Sequence, residues 1–447
     1  MAPVQSFGLR HDRAPSRARG VMLSAIAYAA ICAPLLPAQT PYYPSATTWE
    51  HRTPAQVGLN AKAVQDAVAM ALAAESTSPR DLLENHRNTF GREPFGEAIG
   101  PFRSPRGGAS GLIIKKGYIV AEWGDPVRVD QTYSVTKSFV TTTVGLAWDR
   151  KMIKDLKDPV YKYMVPIVAL RGAPHADPAL VTVPASAVGA ANTSVEAAPA
   201  PKGVAFNAFE MLEPFESDHN RKITWDHLLR QTSEWQGTLW GKPDWADRPP
   251  RDGDIEQWKT RVRPEPGTVY TYNDVRVNLM ALASLTLWRR PLPQVLKEYV
   301  MDPIGASHTW RWYGYDNSWI VLDGELVQSV AGGAHWGGGL IINSRDMARF
   351  GILTGRKGKW NGKQILSPEW IAMATTPGVN TGYGFANHFL NTGRRGIPSA
   401  PEQAFWHLGN GNNIIYVDPV NDIVIVARWM NNLRTMDGMV KLLLETK

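Results

Sequence analysis

Three short stretches of this sequence combine residue types that could perform acyl transfer. The first is Ser134-Val135-Thr136-Lys137. A spacing of three on a helix places the serine and lysine on one face, a turn apart. A serine hydroxyl is a poor nucleophile until a base takes its proton, and a lysine serves as that base when its surroundings favour the neutral amine. At a helix start, Ser134 would also face free backbone N–H groups and the positive end of the helix dipole. The plain alternative is a capping serine beside a solvated lysine, and roughly one Ser-x-x-Lys is expected by chance in a chain of ordinary composition. The neighbours Phe139, Val140, Val144 and Ala147 argue for a buried helix, where a lysine needs a reason.

The second stretch is Pro266-Gly267-Thr268-Val269-Tyr270-Thr271-Tyr272-Asn273-Asp274. Its Pro-Gly turn presents Tyr272 just ahead of a helix, where a tyrosine near a cationic lysine can share or surrender its proton. A packed tyrosine at a helix entrance is an even alternative. The third is His407-Leu408-Gly409-Asn410, entering a turn that continues Gly411-Asn412. Glycines there let the backbone approach a ligand and aim N–H groups at a carbonyl oxygen. Read alone, a hairpin with a satisfied histidine is the stronger reading.

The elements that must position these residues follow from periodicity. Apolar residues at helical spacing predict helices over residues 60–74, 134–148, 223–231, 275–288, 292–300, 344–353 and 435–444. Residues 110–123 read as a hairpin turning at Lys115-Lys116-Gly117. Strands are expected at 337–342, 382–390, 405–407, 413–417 and 423–428. Hairpins at both ends with helices between them predict an α/β (α+β) fold. One antiparallel sheet is built from both termini with flanking helices, beside a mostly helical lobe. Residues 171–205, rich in Ala, Pro, Val and Gly without a period, read as an inserted surface excursion.

Composition narrows the classes. Hydrophobic residues make up 44% of the 447 and charged residues 20%, as in a folded globular chain. Several of the 17 tryptophans (Trp235, Trp240, Trp245, Trp310, Trp312) fall in loop-like stretches where a ligand cleft could use them, though core filling is the commoner role. Of the net charge of +7, +3 sits in the first 38 residues, and no basic run suits a phosphate backbone. Nucleic-acid binding is not expected. In residues 1–38 a basic stretch, Arg10 to Arg19, precedes an apolar run ending near Ala38. This predicts a cleaved export signal and a periplasmic or secreted protein with no stable membrane span. Cleavage there removes Cys32, the sole cysteine. The 10 histidines are scattered and no His-Glu-x-x-His occurs, so neither a metal nor a cofactor is expected. No Gly-x-Ser-x-Gly elbow is present either.

Together and in this order, the three motifs resemble the serine β-lactamase and penicillin-binding-protein superfamily, in its class C, esterase and 6-aminohexanoate-oligomer hydrolase branches. The hairpin at 110–123, the Ile223 to Ser233 segment, the Gly337 to Phe350 segment and the closing strands Asn413 to Arg428 are also similar to that family. The resemblance implies a β-lactamase/transpeptidase-like domain over residues 39–447. It implies acylation of Ser134, general base and acid duties shared by Lys137 and Tyr272, and an oxyanion hole from the N–H groups of Ser134 and Asn410. His407, Gly409 and Asp274 occupy its substrate-binding positions.

Two positions depart from the family pattern. Tyr-x-Asn reads Tyr272-Asn273-Asp274, and Lys-Thr-Gly reads His407-Leu408-Gly409. A carboxylate at 274 is expected to favour a charged Lys137 and to repel substrates with a carboxylate near the scissile bond, unless Asp274 merely caps the following helix. The expected substrate is therefore a small-molecule ester or amide, cleaved by a protein for which a monomer is favoured. The alternatives are a true β-lactamase or D-amino peptidase, and a catalytically silent binding protein on the same scaffold.

Overall fold

The computed structural model describes residues 41–170 and 209–445. The expected export signal at 1–38, with Cys32, and the excursion at 171–205 lie outside the described residues.

The closing segment Ile423–Arg428 alternates nothing: all six residues are buried. Such a strand needs cover on both faces, and it has it. Ile423, Ile425 and Ala427 pack towards the helices Ala61–Ala73 and Leu433–Glu445, with Val64, Ala67 and Met439. Val424 and Val426 face the helix Ser344–Gly355 and its Phe350. Ile423–Arg428 is central in a six-stranded antiparallel sheet. The order runs Phe389–Leu390, Phe405–Gly409, Asn413–Asp418, Ile423–Arg428, Ser110–Lys115, Tyr118–Trp123. Residues near both ends of the chain thus meet in one sheet, as the hairpin pattern predicted, with Ser110 opposite Arg428.

The second lobe differs from the expectation. It carries helices, chiefly Asp274–Trp288, but it also has a sheet of its own. There Asp130–Gln131, Gly339–Ile342, Arg311–Leu322, Ile167–Leu170 and Phe209–Leu212 run in order, and Glu325–Val330 pairs with Arg311–Leu322. The cause is the aromatic and β-branched run from Arg311, which suits a pleated half-buried surface better than a loop. It buries Trp312, Tyr315 and Ile320. Trp310, Trp235 and Trp240 are buried as well, so of the five tryptophans in loop-like stretches four are core, and only Trp245 is partly exposed. Among the described residues no helix is long and apolar enough to cross a membrane.

The helix Thr136–Asp149 runs between the lobes' packing faces and is buried almost throughout. Its polar residues are satisfied internally: Thr142 donates to the Ser138 carbonyl at 2.8 Å and Thr143 to the Val140 carbonyl at 2.8 Å. Back-bonding of this kind lets a threonine-rich helix live in a core. Gly145 lies against the Trp370 ring, which no side chain there would permit.

Candidate active site

Every residue from 130 to 147 is buried except Ser134. It sits in a single 3-10 turn, Tyr133–Val135, that leads into the helix Thr136–Asp149. Tyr133 before it holds a φ of 50°, a left-handed conformation that bulky residues rarely adopt and that a tightly packed surround must enforce. The Tyr133 side chain is buried edge-on to Trp429, with ring centroids 6.3 Å apart. Burial pushes its phenol well above the ordinary range, so it stays neutral.

Lys137 lies one helical turn on, and its Nζ donates to Ser134 Oγ at 2.8 Å. Its side chain is 0% exposed, as is that of Asp274, whose Oδ1 accepts from the same Nζ at 2.8 Å. Asp274 Oδ2 accepts from Arg248 Nη1 at 2.7 Å. Burial opposes ionisation of Asp274, but Lys137 and Arg248 outweigh it and hold the carboxyl well below its usual range. Asp274 is thus a buried anion clasped between two cations. It is not the helix cap: that role belongs to Asn273, whose side chain accepts from Arg276 N at 3.0 Å. The Asp274 charge is shared by Lys137 and Arg248.

The chain of charges continues outward. Arg248 Nη1 also pairs with Asp247 Oδ1 at 2.5 Å, and burial together with Asp274 pushes the Asp247 carboxyl up, against the pull of Arg248 and His335. His335 Nε2 meets Glu93 Oε2 at 2.9 Å and Asp247 at 3.6 Å. Glu93, Asp247 and His335 thus bring ligand-type atoms within 4.8 Å of one another, a grouping invisible in a sequence whose histidines are scattered. Arg248 already supplies a positive charge against Asp247.

Tyr272 stands between the cations. Its ring centroid is 4.7 Å from Lys137 Nζ and 5.0 Å from Arg248 Cζ, distances at which the ring face attracts positive charge. The loop that carries it is pinned from the Ile223 to Ser233 segment: Thr271 N and Asn273 N donate to the backbone and side-chain oxygens of Gln231 at 2.9 and 2.8 Å. Asn273 Nδ2 reaches the Asp244 carbonyl at 2.8 Å. Below it, Arg276 bridges Glu234 at 2.6 Å and Asp244 at 3.3 Å.

Gly409, at the end of the strand Phe405–Gly409, closes over the nucleophile turn. A Cβ there would overlap the Thr132 carbonyl and come within 3.2 Å of Ser134 N. Asn410 follows directly, opening a turn in which Gly411 and Asn412 have φ of 72° and 49°. His407 is placed otherwise than its substrate-binding position implied. Its side chain points with Phe405 into the core, fully buried, with Nδ1 2.8 Å from Ser138 Oγ and 3.1 Å from the Asn387 carbonyl. Burial and the neighbouring His388 hold the imidazole well below its usual range, hence neutral. It backs the nucleophile helix and does not reach the cleft.

Sequence reasoning missed Arg248 and Gly333. A Cβ at Gly333 would overlap both Asp274 Oδ1 and Lys137 Nζ, so only a glycine lets the ion pair close. The pair Gly332-Gly333 was a signal of close backbone approach, whereas nothing around Arg248 marked it.

A family model described as Beta-lactamase matches residues 104–437. This chain belongs to the Beta-lactamase family. No curated protein sequence matches it. Among solved structures it is similar to a hydrolase with promiscuous acyltransferase activity (16% identity, 86% of this chain and 97% of that one, TM-score 0.49). It is also similar to a penicillin-binding protein homologue from Caulobacter crescentus (12%, 88% and 98%, 0.48). A β-lactamase from Sulfitobacter sp. EE-36 is a third such structure (14%, 86% and 99%, 0.47).

Proposed function

We propose that this protein is an exported serine hydrolase that cleaves an ester or amide bond of a small molecule through an acyl-enzyme on Ser134. The observation that carries the reading is the single partly exposed residue in a buried run, a serine, with a fully buried lysine Nζ 2.8 Å from its hydroxyl. A structural lysine has no need to be buried against the one residue that solvent reaches.

In the first half-reaction Ser134 Oγ bonds to the carbonyl carbon and its proton passes to the Lys137–Tyr272 pair. The N–H groups of Ser134 and Asn410 receive the oxyanion. The bond to the leaving alcohol or amine then breaks, and the pair returns the proton to that group. Water repeats the sequence on the acyl-serine, and the free acid departs with the proton balance restored. Because Lys137 is paired with Asp274, Tyr272 carries a larger share of proton acceptance than in a site with an amide at 274. A silent binding protein would have no use for this ion-paired lysine at a serine hydroxyl.

The test is pre-steady-state hydrolysis of a 4-nitrophenyl short-chain ester. A burst equal to the enzyme concentration, lost in Ser134→Ala, is expected. Steady turnover that survives Ser134→Ala overturns the reading.

A further inference from the structure

Asn410 also lines a cavity of about 980 Å³, walled by residues 88–90, 92–94 and 248–251 and by Ile255. Two links tie this cavity to the nucleophile. Asn410 follows Gly409, which lies against Ser134 N. Arg248, another wall residue, shares Asp274 with Lys137.

Three guanidinium groups line the cavity: Arg92, Arg248 and Arg251. Arg248 is committed to Asp247 and Asp274. The other two are exposed. Among the described residues neither forms an ion pair, and the Arg92 side chain makes only a 3.4 Å bond to the Asn88 side-chain oxygen. Glu93 is the one carboxylate in the lining, and its Oε2 already accepts from His335 Nε2 at 2.9 Å and from Arg248 N at 3.3 Å. Asp254, close behind Arg251, is turned onto the start of its own helix, where it accepts from Glu256 N and Gln257 N. The wall therefore offers two uncommitted guanidiniums and no unpartnered carboxylate, and Phe90, Pro249 and Ile255 add apolar surface to it. A planar guanidinium fork matches a carboxylate.

We infer that this cavity is a substrate subsite of the Ser134 centre, and that it takes a carboxylate joined to the scissile ester or amide by a short aliphatic spacer. Arg92 and Arg251 receive the carboxylate, and the apolar wall receives the spacer. The inference rests on the serine hydrolase reading and narrows its substrate class to acidic esters or amides.

The experiment compares mono-4-nitrophenyl glutarate with 4-nitrophenyl pentanoate, which has the same acyl length but no carboxylate. At low salt the wild-type kcat/KM ratio should favour the glutarate ester at least tenfold. The ratio should collapse by tenfold or more in Arg92→Gln/Arg251→Gln and recover in part in the corresponding lysine pair. It should also fall with added salt. A wild-type ratio near one, or a ratio unmoved in the glutamine pair, overturns the proposal. Calorimetric binding of glutarate to Ser134→Ala separates the two readings. If glutarate binds and the glutamine pair loses it while neither ester turns over, the subsite stands and the hydrolase reading falls. If both esters turn over alike and glutarate does not bind, the subsite falls and the hydrolase reading stands.

Discussion

Replacing Asp274 by asparagine removes one negative charge that two cations share, at nearly constant shape. Lys137 and Asp274 have fully buried side chains, whereas Arg248 is about a third exposed and keeps Asp247 as a second partner. The loss therefore falls mainly on Lys137, whose ammonium would be left buried with a neutral acceptor. Breaking a buried ion pair by removing one partner costs about 3–5 kcal/mol. A loss of about 3 kcal/mol in urea unfolding at pH 7 is expected, at the lower end of that range.

The pH dependence carries the sign. The folded Asp274 carboxyl is depressed below its ordinary value of 3.8. Its contribution is therefore fully present above that value and fades as pH falls through the folded value. The stability gap between wild type and Asp274→Asn should be flat from pH 5 to 7 and should narrow in acid below about pH 4. A gap under about 1 kcal/mol, or one that stays constant into acid, would refute the electrostatic role, since an exposed or merely capping carboxylate gives that result.

Gly333→Ala should drive Lys137 and Asp274 apart and lower kcat/KM by at least about a hundredfold, since misplacement by 1 Å carries that scale of loss; near-wild-type turnover would show that the pair tolerates displacement. Gly409→Ala should slow acylation of Ser134 through its overlap with the Thr132 carbonyl, read as a reduced rate of the first burst phase. His407→Phe should leave the pH–rate limbs where they are, because the buried imidazole is already neutral. The wild-type stability increment from that neutral ring, read in urea at graded pH, should fade as pH drops below the ordinary 6.5. Chelation should leave turnover unchanged despite the grouping of Glu93, Asp247 and His335; activity lost in chelator and restored by zinc would assign that grouping a metal role.

The parts of the fold that were legible are those whose local pattern and tertiary role agree. The hairpin Ser110–Lys115 and Tyr118–Trp123, the buried strand Ile423–Arg428 and the capped helix Ala61–Ala73 are of this kind. The run Arg311–Leu322 escaped because its polar and glycine interruptions mask a strand whose partners come from both earlier and later in the chain. At the site, Ser134 and Lys137 were readable because their contact is local, three residues apart on one turn. Arg248 was not, since its meaning depends on Asp274, 26 residues away, and on a cavity formed with residues 88–94. His407 misled for a related reason: its motif position was legible, but the side chain's direction depends on which sheet face the nucleophile helix covers.

The central claim is that Ser134 forms the covalent bond. Labelling the active protein with a serine-directed fluorophosphonate, followed by intact mass and peptide mapping, tests it most directly. The account predicts one adduct per chain, on Ser134, and none in Ser134→Ala. An adduct on another residue, or full ester turnover by a protein that takes up no label, would contradict it.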